Sequence, residues 1–171
     1  GVQGTAIVKL MDMTVAVTGA NEKTLMRLGI DYLDCQIHSD PHAAYYPGGV
    51  QMSMKLLFTP LEGKILGAQV VGYTGVDKCI DVLATALRAK MTVFDLQELE
   101  LAYAPPFSSA KSPVNMVGYV AANILRKEVE TVRWEQLEQL VTGGASVLDV
   151  RTAKELAKFG AVEGSLNIPL D

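Results

Sequence analysis

The fold class follows from residues Val50–Lys90, VQMSMKLLFTPLEGKILGAQVVGYTGVDKCIDVLATALRAK. Pro60–Gly63 is rich in turn-forming residues, and extended patterns lie on either side of it, over Val50–Thr59 and Lys64–Tyr73. Apolar residues occupy alternate positions of the first of these, the period of a strand with one buried face: Val50, Met52, Met54, Leu56 and Phe58. We therefore predict an antiparallel hairpin with a loop of about four or five residues.

A helix is predicted after the hairpin, over Val76–Lys90. Thr74 and Asp77 have the spacing of a capping box, which indicates that the helix begins there. Apolar residues recur at i, i+3, i+4, i+7, i+8 and i+11, on one helical face: Val76, Cys79, Ile80, Leu83, Ala84 and Leu87. A hairpin followed by such a helix predicts an α+β fold for residues 1–112. In this fold an antiparallel sheet of three or more strands is backed by helices.

The residues before the hairpin are expected to add strands to the sheet. Asp31–His38 alternates again, whereas Thr5–Val17 is rich in β-prone residues but irregular. Between these segments, Asn21 is a good N-cap for a short helix and Gly29 a good residue to end it.

A second long helix is predicted from Ser112, a good N-cap, with Pro113 at the first helical position. Its apolar face consists of Val114, Val117, Ala121, Ile124 and Leu125. Together with Met, Phe and Val residues of the sheet, this face exceeds what one thin domain is expected to bury. We therefore expect a two-fold homodimer that covers these side chains.

The loop before this helix, Tyr103–Ala110, is stiffened by Pro105 and Pro106. It must turn sharply between an extended segment and the helix. Because a cis bond before proline costs only about 0.5–1 kcal/mol, we predict one cis bond within Ala104-Pro105-Pro106.

The character of the chain changes after Arg126, where a polar joint begins. A helical stripe ends at Gly143, a short strand follows over Ser146–Arg151, and Thr152 with Glu155 has the spacing of a capping box. Alternation of strand and helix indicates a parallel α/β unit, which roughly 40 residues cannot complete. We therefore predict two domains, residues 1–126 and residues 127–171, the second being a linker and an incomplete α/β domain.

Composition excludes several classes of protein. Of 171 residues, 49% are apolar, so a sizeable core can form, and the net charge of −4 comes without the basic run expected of a nucleic-acid or membrane surface. The sequence has no apolar stretch of membrane-spanning length and no recognisable signal peptide. Two cysteines without a C-x-x-C spacing predict neither a disulfide framework nor a zinc site, and Pro41 between His38 and His42 argues against a helical metal pair. We expect a cytoplasmic protein that binds no metal.

Two loops contain candidate functional residues. His42–Gly49 and Tyr103–Pro113 each combine a tyrosine with proline in a stiff loop. A phenol is a hydrogen-bond donor on an apolar ring, so Tyr45 and Tyr103 are candidates for donating to an anion such as a thiolate. The alternative is that these rings simply pack at the edges of the loops. Tyr46 is a second candidate for the first position.

Three segments resemble the dimerisation domain of coenzyme A-disulfide reductases and related NADH oxidases, in the pyridine nucleotide-disulfide oxidoreductase family. They are HAAYYPGG (residues 42–49), GKILGAQVVGYTGVDKCIDVLATAL (residues 63–87) and YAPPFSSAKSPVNMVGYVAANIL (residues 103–125). The resemblance covers residues 1–125. At one position it departs from the family, since Ser112 stands where relatives commonly have Asp; either residue can cap a helix.

The resemblance implies a homodimer in which Tyr45 and Tyr103 reach the redox cysteine of the partner subunit. It places the loop of Pro105, Pro106 and Phe107 near the partner's flavin. The cofactors implied are FAD, bound mainly by N-terminal domains not included in this sequence, and NADH or NADPH as electron donor, with coenzyme A as a possible ligand. The substrate would be a small sulfur compound: coenzyme A disulfide, a coenzyme A persulfide or a polysulfide.

The C-terminal residues resemble the start of a rhodanese domain, through VLDVR at residues 147–151 and GSLNIPLD at residues 164–171. Ala161 replaces the histidine usual in that family, and the sequence stops before the loop that would hold the nucleophilic cysteine. Asp149 and Arg151 are therefore interpreted as a structural ion pair.

Together these observations predict part of a flavin-dependent disulfide or persulfide reductase fused to a rhodanese-like module. Alternatives are an NADH oxidase or peroxidase acting on oxygen species, and a non-catalytic dimerisation module. Because the chain lacks a glycine-rich nucleotide fingerprint and a redox cysteine, we expect it to be inactive alone.

Overall fold

The computed structural model describes residues 2–170, and the chain forms two compact units divided between Glu130 and Thr131. The first unit contains five strands and four helices: β1 (Ala6–Leu10), β2 (Met13–Gly19), α1 (Glu22–Leu28), β3 (Leu33–Ser39), β4 (Met52–Phe58), β5 (Ile65–Gly72), α2 (Val76–Arg88), α3 (Val93–Glu98) and α4 (Pro113–Leu125). The second contains a short 3-10 helix (Trp134–Gln136), α5 (Leu137–Thr142), β6 (Leu148–Asp149), α6 (Ala153–Phe159) and β7 (Leu166–Asn167).

The five strands of the first unit form one antiparallel sheet in the order β1-β2-β5-β4-β3. The predicted hairpin is its centre, with Met54 opposite Val70 and Leu56 opposite Ala68. All four of these side chains are buried, as the alternating pattern requires. The predicted α+β class is therefore confirmed.

Thr5–Val17, whose sequence is β-prone but irregular, contributes most of the β1–β2 hairpin, which turns at Met11, whose φ is +55°. Asn21 and Gly29 limit α1 as predicted: the Asn21 side chain accepts the N–H of Thr24, and Gly29 adopts the left-handed conformation. The strand predicted over Asp31–His38 is β3, shifted by one or two residues.

Helix α2 packs on the sheet through the predicted stripe, of which Val76, Ile80 and Leu83 are almost completely buried. The predicted capping box of Thr74 and Asp77 is wrong. Gly75 is the N-cap, in the left-handed conformation at φ +75°, and no side chain caps the helix. A Cβ on Gly75 would lie 3.3 Å from the Cβ of Pro41, which favours glycine at this position.

Helix α3 was not predicted, although Thr92 and Asp95 form a reciprocal capping box at its start. It packs against α4, whose predicted N-cap, Ser112, and first helical residue, Pro113, are confirmed. Asn115 of α4 accepts hydrogen bonds from the N–H and hydroxyl of Ser112, at 2.9 and 2.7 Å. The buried side chain of Asn115 thus fixes the N-terminus of α4.

The apolar face of α4 is covered within the first unit, contrary to the sequence argument for exposure. Val114, Val117 and Ala121 are at most 1% exposed, as are Met52 and Met54 of the sheet. They pack into a single core with α2 and α3, so the first unit by itself buries the side chains that were expected to exceed its capacity. These residues therefore provide no surface for a second subunit.

The second unit contains a two-stranded parallel sheet, with Leu148 opposite Leu166. Helix α6 connects the strands and begins with the predicted capping box of Thr152 and Glu155. The sequence placed the domain boundary after Arg126. The structure assigns the next residues to the first unit, because the N–H of Glu128 donates to the carbonyl of Asn123 in α4. Among residues 2–170, no helix combines the length and hydropathy needed to cross a membrane.

Candidate functional site

Tyr45 lies in a tight turn between β3 and β4. The N–H of Tyr46 donates to the carbonyl of Ala43 at 2.9 Å, which makes Tyr45 the third residue of the turn. The Tyr45 side chain is 77% exposed, so its phenol is available to groups outside this chain.

Tyr103 lies in the loop between α3 and α4 and is 52% exposed. The Nζ of Lys78 in α2 donates to the carbonyl of Ala102 at 3.3 Å, next to Tyr103. On the other side, the N–H groups of Phe107 and Ser108 both donate to the carbonyl of Ala104. Hydrogen bonds to the carbonyls of Ala102 and Ala104 therefore fix the backbone on both sides of Tyr103.

The predicted cis bond in Ala104-Pro105-Pro106 is wrong, because both bonds before proline are trans. The chain reverses by another means. The two hydrogen bonds to the Ala104 carbonyl close the turn, from Phe107 at 2.8 Å and from Ser108 at 3.1 Å.

The two tyrosine loops are joined through their backbones. The N–H of Ala43 donates to the carbonyl of Pro105 at 3.3 Å, and Ala43 is buried. This contact brings together the two tyrosines selected from the sequence. A hydrogen bond to Tyr103 is the main factor that raises the pKa of Tyr45, followed by desolvation and the Tyr103 charge.

Either hydroxyl of the pair can donate, because each phenol carries one rotatable O–H and can also accept. Both side chains are largely exposed, at 77% for Tyr45 and 52% for Tyr103. The pair can thus offer a hydrogen bond to an anion that approaches from outside the chain.

Pro105, Pro106 and Phe107 form the tip of the same loop. Pro105 is half-buried and Pro106 is exposed, while the Phe107 ring is 71% exposed. Such a tip fits contact with a flat ring such as a flavin, but it offers no charged group for a cofactor's phosphates. The residues present are therefore suited to touching FAD and not to holding it.

The two cysteines lie apart from this site, in the core. Burial raises the pKa of Cys35 to about 12 and the pKa of Cys79 to about 11. Both are free thiols and stay protonated at neutral pH. This supports the interpretation of both cysteines as structural residues.

The two histidines, His38 and His42, contact different side chains. Nδ1 of His38 lies 2.9 Å from the hydroxyl of Ser53, whereas the His42 ring packs against Tyr46. Within residues 2–170, no three His, Cys, Asp or Glu side chains gather as metal ligands.

Comparison with known proteins identifies the family of the first unit. The family model described as "Pyridine nucleotide-disulphide oxidoreductase, dimerisation domain" matches residues 5–114. Coenzyme A disulfide reductase of Staphylococcus haemolyticus (strain JCSC1435) is 42% identical over 124 residues, which are 72% of this chain and 28% of that protein.

Two solved structures extend the likeness to nearly the whole chain. Reduced Bacillus anthracis CoADR-RHD is 50% identical with a TM-score of 0.92, covering 98% of this chain and 30% of that one. A NAD-dependent persulfide reductase from A. fulgidus is 37% identical with a TM-score of 0.90, covering 99% and 30% respectively. The chain thus spans less than a third of each of these relatives. It belongs to the pyridine nucleotide-disulphide oxidoreductase family, and residues 5–114 are the dimerisation domain.

Proposed function

We propose that this chain is the dimerisation part of a flavin-dependent reductase that acts on coenzyme A disulfide, a coenzyme A persulfide or a polysulfide. The relatives that support this are a coenzyme A disulfide reductase and a persulfide reductase. The electron donor is NADH or NADPH. FAD, when bound, carries electrons from the nicotinamide toward the sulfur substrate.

The observation that carries the proposal is the backbone contact between Ala43 and Pro105, which joins two loops that each present an exposed phenol, Tyr45 and Tyr103. Reduction of a disulfide expels a thiolate, and a hydrogen-bond donor placed at that sulfur stabilises the charge that develops in the transition state. In our proposal the hydroxyls of Tyr45 and Tyr103 act together as the donors to this sulfur. The hydrogen bond between Ala43 and Pro105 joins the two loops, so little reorganisation of the phenols is needed during the reaction.

The cysteine served by these phenols is proposed to belong to the partner subunit of a homodimer. Cys35 and Cys79, the two cysteines of this chain, are buried and protonated, so the reactive thiol must come from elsewhere. The dimerisation domain and the exposure of both phenols support a site shared between subunits. We propose that the exposed Phe107 ring contacts the partner's flavin.

Residues 127–171 are proposed to begin a rhodanese-like module. The parallel pairing of β6 with β7 supports this, as does the Asp149–Arg151 ion pair, in which Nη2 of Arg151 lies 2.6 Å from the carboxylate. Nδ2 of Asn167 donates to the carbonyls of both residues of that pair, at 2.9 Å each. Asp149 and Arg151 thus shape a turn, in keeping with a structural role. Cytoplasmic location and inactivity of the chain on its own stay predictions.

A subunit complementation experiment tests the shared site. One full-length subunit is given Tyr103→Phe, and the other has its redox cysteine replaced by Ser. If the phenol acts across the interface, the mixed dimer regains one intact site, and up to half of the disulfide or persulfide reductase activity returns. If each tyrosine serves its own subunit, mixing restores nothing.

Assays of the same full-length enzyme also distinguish a sulfur reductase from an NADH oxidase. An NADH oxidase would consume oxygen rapidly and reduce sulfur substrates slowly, and Tyr103→Phe would leave its oxygen consumption unchanged. Tyr46→Phe identifies which of the adjacent tyrosines matters, because only loss of the Tyr45 hydroxyl removes the hydrogen bond with Tyr103. Tyr73→Phe, at a half-exposed tyrosine outside the site, is the control.

A further inference from the structure

The carbonyl oxygen of Ala43 closes the turn that carries Tyr45, and it accepts two hydrogen bonds. One comes from the N–H of Tyr46 at 2.9 Å. The other comes from Nδ1 of His42 at 3.1 Å. Because a carbonyl can only accept, Nδ1 carries the proton and donates.

The His42 ring is held in this position by two neighbours. The Tyr46 ring meets it edge-on, with centroids 5.5 Å apart and an interplanar angle of 87°. On another side, a Cβ added to Gly49 would lie 2.9 Å from Cε1 of the ring. A side chain at position 49 would therefore displace the imidazole, and glycine leaves the space that the ring fills.

Ala43 connects the His42 ring to the loop of Tyr103. Its carbonyl is bound by His42, and its N–H donates to the carbonyl of Pro105, two residues beyond Tyr103. A shift of the His42 ring therefore moves the residue that sets the spacing between the two loops.

We propose that His42 is a positioning residue, which holds the turn of Tyr45 against the loop of Tyr103 through the hydrogen bond from Nδ1 to the Ala43 carbonyl. The inference rests on the proposed function for its catalytic meaning. The geometry it describes lies entirely within this chain, so it can be tested without flavin or substrate.

Two variants separate the donor from the ring. His42→Phe keeps an aromatic ring against Tyr46 and removes the donor. His42→Asn removes the ring and keeps an amide N–H near the position of Nδ1. Tyrosine labelled with ¹³C at Cζ reports the titration of Tyr45 by NMR, with Tyr45→Phe assigning the resonance and Tyr103→Phe giving the pKa of an unpaired Tyr45.

We expect His42→Phe to lower the pKa of Tyr45 to the value found in Tyr103→Phe, and His42→Asn to keep it raised. The Ala43 amide should also exchange faster with solvent in His42→Phe than in the unsubstituted chain. His38→Phe, the same replacement at an exposed histidine on β3, is the control.

A raised Tyr45 pKa and an unchanged Ala43 amide in His42→Phe would overturn the proposal. So would loss of the pairing in a folded His42→Asn chain while His42→Phe retains it. Since neither measurement uses a sulfur substrate, failure of the proposed function would leave these results unaffected.

Discussion

The N–H of Ala43 donates to the carbonyl of Pro105 at 3.3 Å and joins the loops that carry Tyr45 and Tyr103, although β4, β5 and two helices separate these loops in the sequence. A hydrogen bond to Tyr103 is also the main factor that raises the pKa of Tyr45. The backbone contact thus places two exposed phenols in one site.

The pairing predicts how Tyr45 responds to loss of the Tyr103 hydroxyl. In Tyr103→Phe the Tyr45 pKa should fall toward its ordinary value of about 10, since the hydrogen bond with Tyr103 is the main cause of its increase. The titration is followed by NMR or by tyrosinate absorbance. Tyr73→Phe should leave the Tyr45 pKa where it was, and an unaltered Tyr45 pKa in Tyr103→Phe would show that the hydroxyls are not paired.

Asn115 should contribute more to the stability of the first unit than Ser112, the N-cap residue of α4. It is buried, accepts two hydrogen bonds from Ser112 and donates to the carbonyls of Leu96 and Leu99 at 2.9 and 3.0 Å. Asn115→Ala leaves several buried groups unpaired and should cost about 2–4 kcal/mol, against about 1 kcal/mol for Ser112→Ala. Urea unfolding measures both variants. Equal losses would mean that the bonds to α3 contribute little.

Gly75→Ala should destabilise the first unit more than Gly48→Ala. Both glycines have a positive φ, +75° and +89°, so alanine is strained at either position. Only at Gly75 would the added Cβ meet neighbours, 3.2 Å from Cε of Met52 and 3.3 Å from Cβ of Pro41. The strain alone should cost about 1 kcal/mol. The urea midpoint of each variant is measured, and the difference between the two variants reports the cost of the contacts with Met52 and Pro41. A smaller loss of stability in Gly75→Ala than in Gly48→Ala would contradict this prediction.

The buried thiols predict an alkaline loss of stability. Burial raises the pKa of Cys35 to about 12 and the pKa of Cys79 to about 11, from an unfolded value of 9.0. The folded state therefore holds these protons more tightly than the unfolded state. Stability is fully present below pH 9 and falls as pH rises toward 11–12, by about 1.4 kcal/mol per pH unit for each thiol.

Urea unfolding at pH 8 and pH 10.5 measures this loss. Cys35→Ala should weaken the pH dependence while lowering stability at both values. A dependence of the same slope in the variant would assign the effect to other groups.

The sequence predicted the fold where a pattern was long enough to exclude alternatives. Four alternating apolar residues from Met52 to Phe58 specify one face of β4, and the Ser112–Pro113 pair specifies the start of α4. Val50, the first residue of the predicted pattern, lies before the strand and is half-exposed. Helix α3 was missed because it has six residues and only two buried apolar side chains, although the Thr92–Asp95 capping box was a usable signal.

The errors came from backbone conformation that local patterns do not report. Thr74 could cap α2 only if the helix began one residue earlier, but Gly75 takes a left-handed conformation beneath Pro41. Likewise, the proline loop turns by hydrogen bonds to the Ala104 carbonyl and needs no cis bond.

The candidate site was predicted in its residues but not in its assembly. Tyr45 and Tyr103 were selected because each is a donor in a stiff loop and matches a family motif. Their pairing depends on the Ala43 N–H and the Pro105 carbonyl, which are backbone groups present in any sequence. The role of His42 was missed for the same reason, since its acceptor is a carbonyl.

The central claim is that the tyrosine pair stabilises the thiolate released in the partner subunit's site. It is tested most directly by rapid-mixing kinetics of the full-length enzyme, with flavin reduction by nicotinamide and reoxidation by the sulfur substrate recorded separately. Tyr103→Phe and Tyr45→Phe should each slow reoxidation by about 10²–10³, while reduction by nicotinamide stays unchanged. Reoxidation at the unsubstituted rate in both Phe variants, on every sulfur substrate, would contradict the account.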